Sequence, residues 1–524
     1  MRIEGGLVEG PIDLANLLTA GKAAAPEAVA LTSLDDNWTW SRLDEAATHY
    51  GRNLLALGLK PGDRVANLLP NRSALIVHYL GCIRAGLVAV PLNYRYMPPE
   101  IDHALEVSGA SILVHHAERD ADVAASQRAA ALPLGTVVCE ASDGRAPSVE
   151  ALLTDDVAAD APSLPTDLSG DHPLAICFTS GSTGKPKGVT HTRSTMGWMF
   201  AKTIVNFRFT PDDVILPASS CSHIGAYLFS LAGLAAGCRV DVARSFDAHE
   251  VLALLRQTRP TLLVMLPAAL IELVRDHDAG HDDFASLRLC MSGGDSVAPE
   301  LERLFHEKSG MEIREVYGMT EFGVSHANAP DRENRLGSIG GVLAGYRMWV
   351  RDDQGGDVDH DQDGRLWVHG PSVMKGYWNR PDATRETIVE GWLDTGDVVR
   401  VDREGYVRFR GRKKQIIVHD GSNISPQEVE ASLIAHPSVA SAGVIGVHDL
   451  VHGENVYAYV TLEPEAPAVT SRELVAFSRE AVGYKAPDQV MVLDAMPLNA
   501  TGKVDRPTLK RMAEARIHPE GSTG

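Results

Sequence analysis

A recurring rhythm constrains the fold of this chain most. Short apolar runs return through the first 410 residues: "DRVANLL", "AGLVAVPLN", "SILVHH", "LAICFTSG", "TLLVMLP", "RLCMSGG" and "IREVYG". Each closes on glycine, proline or a polar turn. Segments long enough for helices separate them; Leu43–Leu59, for example, has helical apolar spacing and stops before Pro61-Gly62. Strands that alternate with helices specify an α/β fold with mostly parallel sheets flanked by helices. Ligands of such sheets gather beyond the carboxyl ends of the strands. Three of the runs exit directly into unusual loops: "TSGSTGKPKG", "SGGDS" and "YGMTEFG".

After Gly364 the pattern changes to short alternating strands, read as a small distorted β subdomain of the large N-terminal domain. Beyond it, "EVEASLIAHPSVASAGVIGV", "NVYAYVTLE", "SRELVAFSREAV" and "QVMVLDAMP" alternate helix and strand as a small α+β domain. The expected division is 1–410, a joint at 411–414, and 415–524. Residues 141–171, rich in Ala, Asp, Ser and Pro, read as a surface connection.

A length of 524 residues exceeds one hydrophobic core. The net charge of -20 argues against nucleic acid or an anionic membrane as partner, so a polyphosphate ligand needs a local cluster of donors. "MRIEGGLVEG" has no signal-peptide core. Pro217 to Cys238 carries no charged residue, but only about 15 of its residues are mostly apolar, short of the roughly 20 that span a bilayer. It reads as a buried helix. The six cysteines form no CxxC pair, which points to reduced thiols, a cytoplasmic protein and no zinc site.

The loop "FTSGSTGKPKG" follows the apolar strand "LAICF" at once. Gly181 and Gly184 permit turns that converge N–H groups on an anion. Thr179, Ser180, Ser182 and Thr183 add hydroxyls, and Lys185 and Lys187 add charge. A Gly/Ser linker rarely interrupts a buried strand pattern or carries two lysines. A Walker-type loop fails on spacing, because Pro186 follows Gly184-Lys185. Alone, the loop indicates a phosphate ligand.

Four more motifs follow in order: "YGMTE" (Tyr317–Glu321), "GWLDTGD" (Gly391–Asp397), "GRKKQIIVHDGSNISPQEVE" (Gly411–Glu430) and "PLNATGK" (Pro497–Lys503). With them the chain resembles, over nearly its whole length, the superfamily of ATP-dependent adenylate-forming enzymes: acyl- and aryl-CoA synthetases, adenylation domains of peptide synthetases, and beetle luciferases. The resemblance implies a mobile C-terminal domain and a two-step reaction. A carboxylate attacks the α-phosphate of MgATP, releasing pyrophosphate; a thiol, usually that of coenzyme A, then displaces AMP.

The resemblance also implies roles. Thr179, Ser180, Gly181, Ser182, Thr183, Gly184 and Lys187 would hold the β- and γ-phosphates. Glu321 would bind Mg²⁺ and Thr320 touch the α-phosphate. Ser292, Gly293, Gly294, Tyr317 and Gly318 would wall the adenine slot. Asp397 would accept from the ribose hydroxyls, with Arg412 a second nucleotide contact. Lys503 would bridge the substrate carboxylate and the α-phosphate. Lys414 stands at the hinge position, and Gly421 would admit the pantetheine arm; Asp420 stands where glycine is usual, which departs from the pattern.

His223, in "SSCSHIGAY", matches a residue that gates the acyl pocket. No acid lies between Cys221 and Tyr227, so an uncharged acyl tail is expected, since a buried unpaired ammonium is costly. Gly225, Ala226, Val264, Val316, Gly323 and Val324 would line that pocket. The expected activity is an acyl-CoA synthetase for a medium- or long-chain fatty or aryl acid, using ATP, Mg²⁺ and coenzyme A. Its alternatives are a ligase that loads a carrier-protein thiol and a non-catalytic acyl- or nucleotide-binding homologue. No nucleic-acid partner or membrane span is expected, and a homodimer is one allowed assembly.

Overall fold

The computed structural model describes residues 1–33, 36–141, 147–154, 162–179, 186–244, 247–294, 297, 299–412, 415, 417–419, 422–449, 453–464, 466–499 and 502–517. They form two compact units. The larger comprises Ile3–Met348 and Val368–Leu393; the smaller comprises Met1–Arg2, Trp349–Trp367 and Asp394–Gly524.

Two sheets organise the larger unit. In the first, Val29–Ser33, Arg239–Asp241, Val214–Pro217, Leu262–Met265, Leu289–Gly293 and Ile313–Met319 lie side by side and parallel. Leu262, Leu263, Val264 and Met265 are all buried, as a strand covered on both faces requires. Parallel neighbours share one carboxyl edge, so Pro217, Met265, Gly293 and Met319 end on the same side. The second sheet is built around Arg64–Leu68, Val88–Pro91 and Pro173–Phe178.

Each sheet carries an antiparallel return whose cause is length. Only residues 179–187 separate Pro173–Phe178 from Gly188–Thr192, too few for the crossover of a dozen or more residues that parallel strands need. The second strand therefore folds back, with Phe178 opposite Gly188. Three residues separate Ile313–Met319 from Gly323–Ala327, and these strands also pair antiparallel. Thr320 and Glu321 are thus presented on a tight turn at the sheet's carboxyl edge. Gly323 closes that turn at φ +81°, a conformation that disfavours side chains.

The helix expected over Leu43–Leu59 runs Trp40–Ala56. It starts earlier because Thr39 caps it, the Thr39 hydroxyl accepting from the Arg42 N–H. The uncharged stretch after Pro217 contains the helix Ile224–Ala235, largely buried. At 1.5 Å per residue it is about 18 Å long, against a hydrocarbon layer of about 30 Å. No helix among the described residues is long and apolar enough to cross a membrane. All six cysteines are free and buried.

In the smaller unit, Val407–Arg412 pairs antiparallel with the strand ending at Val401, placing Arg412 opposite Asp397. A separate sheet of Ile417–His419, Ser422–Ile424, Val439–Asp449, Gly453–Leu462 and Gln489–Val492 follows. Val429 and Leu433 of the helix Pro426–Ile434 and Leu474 of the helix Ser471–Val482 pack with Val444, Val456 and Val460 in one core. Leu509 and Ala513 of the last helix pack with Tyr457 and Tyr459 in a second.

Candidate active site

The ends of the "FTSGSTGKPKG" loop are pinched together. The Thr179 N–H donates to the Lys187 carbonyl (3.1 Å), and the Lys187 N–H donates to Thr179 Oγ1 (3.2 Å). Ser180, Gly181, Ser182, Thr183 and Gly184 lie outside the described residues, as do Lys414 and Gly421.

Lys187 connects this loop to the turn bearing Glu321. Its Nζ lies 4.0 Å from the centre of the Tyr377 ring, a cation–π distance. The Tyr377 hydroxyl donates to Glu321 Oε1 at 2.8 Å. Tyr377 belongs to Gly376–Tyr377, a two-residue strand paired antiparallel with Gly188–Thr192. The strand that follows the glycine-rich loop and the acidic turn therefore meet through one tyrosine that the motifs do not name.

The turn is held by its backbone as well. The Thr320 carbonyl accepts from His191 Nε2 (2.7 Å) and the Glu321 carbonyl from the Met374 N–H (2.7 Å). The Phe322 carbonyl accepts from the hydroxyls of Tyr346 (2.6 Å) and Ser372 (3.0 Å). Burial pushes the His191 pKa down to about 4. The ring is neutral near pH 7, and because a carbonyl only accepts, the Nε2 tautomer carries the proton. Neither His191 nor Tyr377 stood out in the sequence.

Glycines let the neighbouring backbones approach. A Cβ on Gly293 would stand 2.3 Å from the Val316 carbonyl oxygen, and one on Gly318 would stand 2.2 Å from that of Gly323. Gly294 has φ +84°. Ser292 is buried, its hydroxyl donating to the Met265 carbonyl (2.9 Å). The Tyr317 ring meets His326 edge-on at 5.6 Å.

His223 precedes the helix Ile224–Ala235, on the connection that leaves the carboxyl end of Val214–Pro217. Asn93 Nδ2 lies 3.2 Å from its Nε2. The amide can only donate there, so Nε2 accepts. A Cβ on Gly225 would meet no heavy atom within 4 Å among the described residues. Ala226 and Val264 are buried, whereas Val316 and Val324 are half-buried. A Cβ on Gly323 would stand 2.7 Å from Met199 Cγ, so this glycine adds no free space.

Asp397, Arg412 and Lys503 belong to the smaller unit. Asp397 is 1% exposed and accepts from Arg412 Nε at 3.1 Å. Lys503 sits in the turn after Leu498, where the Asn499 N–H donates to the Lys503 carbonyl (2.8 Å) and Asn499 Oδ1 accepts from the Lys503 N–H (3.1 Å).

Glu321 offers hard oxygen to a hard cation. Among the described residues no group of three or more His, Cys, Asp or Glu could cage a metal ion. A Mg²⁺ here would draw its remaining ligands from phosphate oxygens and waters, which is how this ion is commonly held. The donor set fits a metal that arrives with a polyphosphate.

Residues 19–378 match the family model described as AMP-binding enzyme, and residues 428–503 match that of the AMP-binding enzyme C-terminal domain. A feruloyl-CoA synthase from Amycolatopsis sp is 34% identical over 492 residues, covering 93% of this chain and 96% of the relative. The fatty acid–[acyl-carrier-protein] ligase ScoC of Streptomyces coeruleorubidus is 31% identical over 485 residues, covering 90% and 91%. The solved structure of ATP-bound MatB from Rhodopseudomonas palustris superposes with a TM-score of 0.85 at 28% identity, covering 95% of this chain and 99% of that one.

Proposed function

Since the chain belongs to the AMP-binding enzyme family, whose CoA ligases use ATP, Mg²⁺ and CoA, we propose that it joins a medium- or long-chain fatty or an aryl carboxylic acid to coenzyme A through an acyl-adenylate. The observation that carries this reading is the Lys187–Tyr377–Glu321 connection, which joins a phosphate-loop cation to a metal-ligand carboxylate.

The chemistry explains the parts. A carboxylate is a poor acyl electrophile because its leaving group is oxide, whereas AMP leaves readily. The residues must therefore neutralise crowded phosphate charge and hold two anions in line. In our reading Thr179 and Lys187, with the hydroxyls and glycines between them, grip the β- and γ-phosphates. Glu321 holds the Mg²⁺, which when bound screens phosphate charge. Thr320 donates to the α-phosphate. Tyr317 and the glycines of Ser292–Gly294 and Gly318 hold the flat adenine, for which close backbone approach is a requirement. Asp397 takes the ribose hydroxyls, and Arg412, which donates to that carboxylate, makes a second nucleotide contact. Lys503 lends the cation between carboxylate and α-phosphate, a charge-assisted donor of the strong kind. Residues 411–414, with Lys414 as pivot, form the hinge by which the C-terminal domain, 415–524, exchanges Lys503 for the face around Gly421. A cytoplasmic location belongs to the same reading, supported by six free, buried thiols.

His223 gates the acyl tail, with Gly225, Ala226, Val264, Val316, Gly323 and Val324 around it. Small and apolar walls reject by size, at only about 1–3 kcal/mol per misfit methylene, so several acids are accepted. The test is a panel of alkyl and aryl acids with purified protein, scored for AMP and for thioester. AMP and acyl-CoA with at least one class support the reading; ADP, or no pyrophosphate with any acid, defeats it. The similarity to a carrier-protein ligase supports a second reading, in which the acceptor is a carrier thiol. Pyrophosphate release without CoA-thioester, together with AMP released only on adding a carrier protein that bears a pantetheine thiol, would favour it.

A further inference from the structure

One lysine stands outside every motif, fully inside the larger unit. Lys202, in the helix Arg193–Phe207, is 1% exposed. Its Nζ donates to Ser372 Oγ at 2.7 Å and lies 3.5 Å from the centre of the Tyr346 ring. Gly345 leaves room for its stem and Gly370 for its head: a Cβ on Gly345 would stand 2.9 Å from Cε, and one on Gly370 would stand 3.1 Å from Nζ. Among the described residues it has no carboxylate partner. A buried ammonium without a counter-ion is expensive, and burial pulls its pKa down to about 7. Lysines in apolar cores are rare, so this one calls for a compensating role.

We infer that Lys202 is a positioning residue for the metal-binding turn, acting through Ser372 and Tyr346 on the carbonyl that follows Glu321. The direction of the hydrogen bonds carries the argument. Lys202 Nζ donates here whether the amine is charged or neutral, so the Ser372 oxygen receives its proton and the Ser372 hydrogen points elsewhere. Its acceptors are the Phe322 carbonyl at 3.0 Å and the Tyr346 oxygen at 3.1 Å. Tyr346 already donates to the Phe322 carbonyl at 2.6 Å. Two hydroxyls thus converge on one backbone oxygen, and the Lys202 amino group orders both, one by hydrogen bond and one against the ring face. The same strap, residues 370–378, carries the Met374 N–H on the Glu321 carbonyl and the Tyr377 hydroxyl on its carboxylate. Lys202 therefore sets the far end of the clamp that aims Glu321. Groups behind a metal ligand typically govern about 10–100-fold in affinity.

The inference rests on the reading that Glu321 holds the metal of MgATP. The test is Mn²⁺ binding, followed by electron paramagnetic resonance, to the full chain with α,β-methylene-ATP bound. Lys202→Met keeps the stem and removes the donor. It is expected to weaken Mn²⁺ about 10-fold while leaving metal-free affinity for the analogue within about two-fold. Ser372→Ala should move the same quantity the same way, and it decides the matter if Lys202→Met does not fold cooperatively. Glu321→Gln is the reference. If it weakens Mn²⁺ while folded Lys202→Met and Ser372→Ala both bind like the parent, Lys202 has no positioning role and the reading of Glu321 stands. If Glu321→Gln itself binds like the parent, both fall.

Discussion

The Tyr377 hydroxyl donates to Glu321 Oε1 at 2.8 Å across 56 residues of chain. Glu321 is 4% exposed, so this donor replaces hydration that burial removes. Lys187 stands over the face of the same ring. One aromatic side chain thus touches both a cation and an anion.

Removing that hydroxyl isolates it as a cause. Tyr377→Phe keeps the ring under Lys187 and leaves Glu321 without this donor. The expected outcome is a rise of about 10-fold in the Mg²⁺ needed for half-maximal pyrophosphate release. An unchanged Mg²⁺ dependence would show that the hydroxyl does not orient the carboxylate.

Lys503→Ala should separate the two half-reactions. Adenylation is expected to fall ~10²–10³-fold, the usual loss for one transition-state donor. Thioester formation from supplied acyl-adenylate is expected to survive. Equal loss in both steps would contradict a cation used in the first step alone.

Gly225 tests the acyl pocket. With open space where its Cβ would lie, Gly225→Ala should fold at least as well as the parent, since alanine is favoured over glycine within a helix by up to about 1 kcal/mol. Gly225→Leu should shift the acid panel toward shorter or narrower acids with the melting temperature retained. A panel that stays the same for Gly225→Leu removes this position from the pocket.

Stability should respond to pH through Lys202. Its folded pKa is lowered to about 7 from an ordinary 10.5. Between those values the unfolded chain binds the proton and the folded chain does not, so this group's contribution to stability rises with pH across the window. Below pH 7 both states are protonated and the dependence vanishes. Urea unfolding at pH 6, 8 and 9.5 should show a rise in the parent that Lys202→Met lacks. Parallel profiles would mean that Lys202 is not the titrating group.

The framework of this site was legible in local pattern. Apolar runs alternating with helical segments pointed to mostly parallel sheets, whereas the antiparallel returns Gly188–Thr192 and Gly323–Ala327 broke that rhythm. The order of motifs pointed to Lys187, Glu321 and Asp397. Tyr377 and His191 were not legible, because their roles depend on partners 56 and 129 residues away. In "MKGYWN" and "GVTHT" they read as ordinary strand residues. Lys202 was hidden for another reason: a lysine in a helix normally signals a wet face, and only tertiary packing overrules that. Gly323 shows the opposite lesson, since its small size serves the close approach of Met199 and a positive φ.

The buried cysteines open an experimental route. Burial raises all six thiols, those of Cys177, Cys221, Cys238 and Cys290 to about 12, so the native chain offers maleimide dyes almost no thiolate near neutrality. Fluorophores can therefore be attached at Leu7→Cys and Val492→Cys, both exposed at 97% and 44%, without first stripping the wild-type sequence. Energy transfer between such labels would report whether the distance between the two units changes during turnover, with the six native thiols left in place.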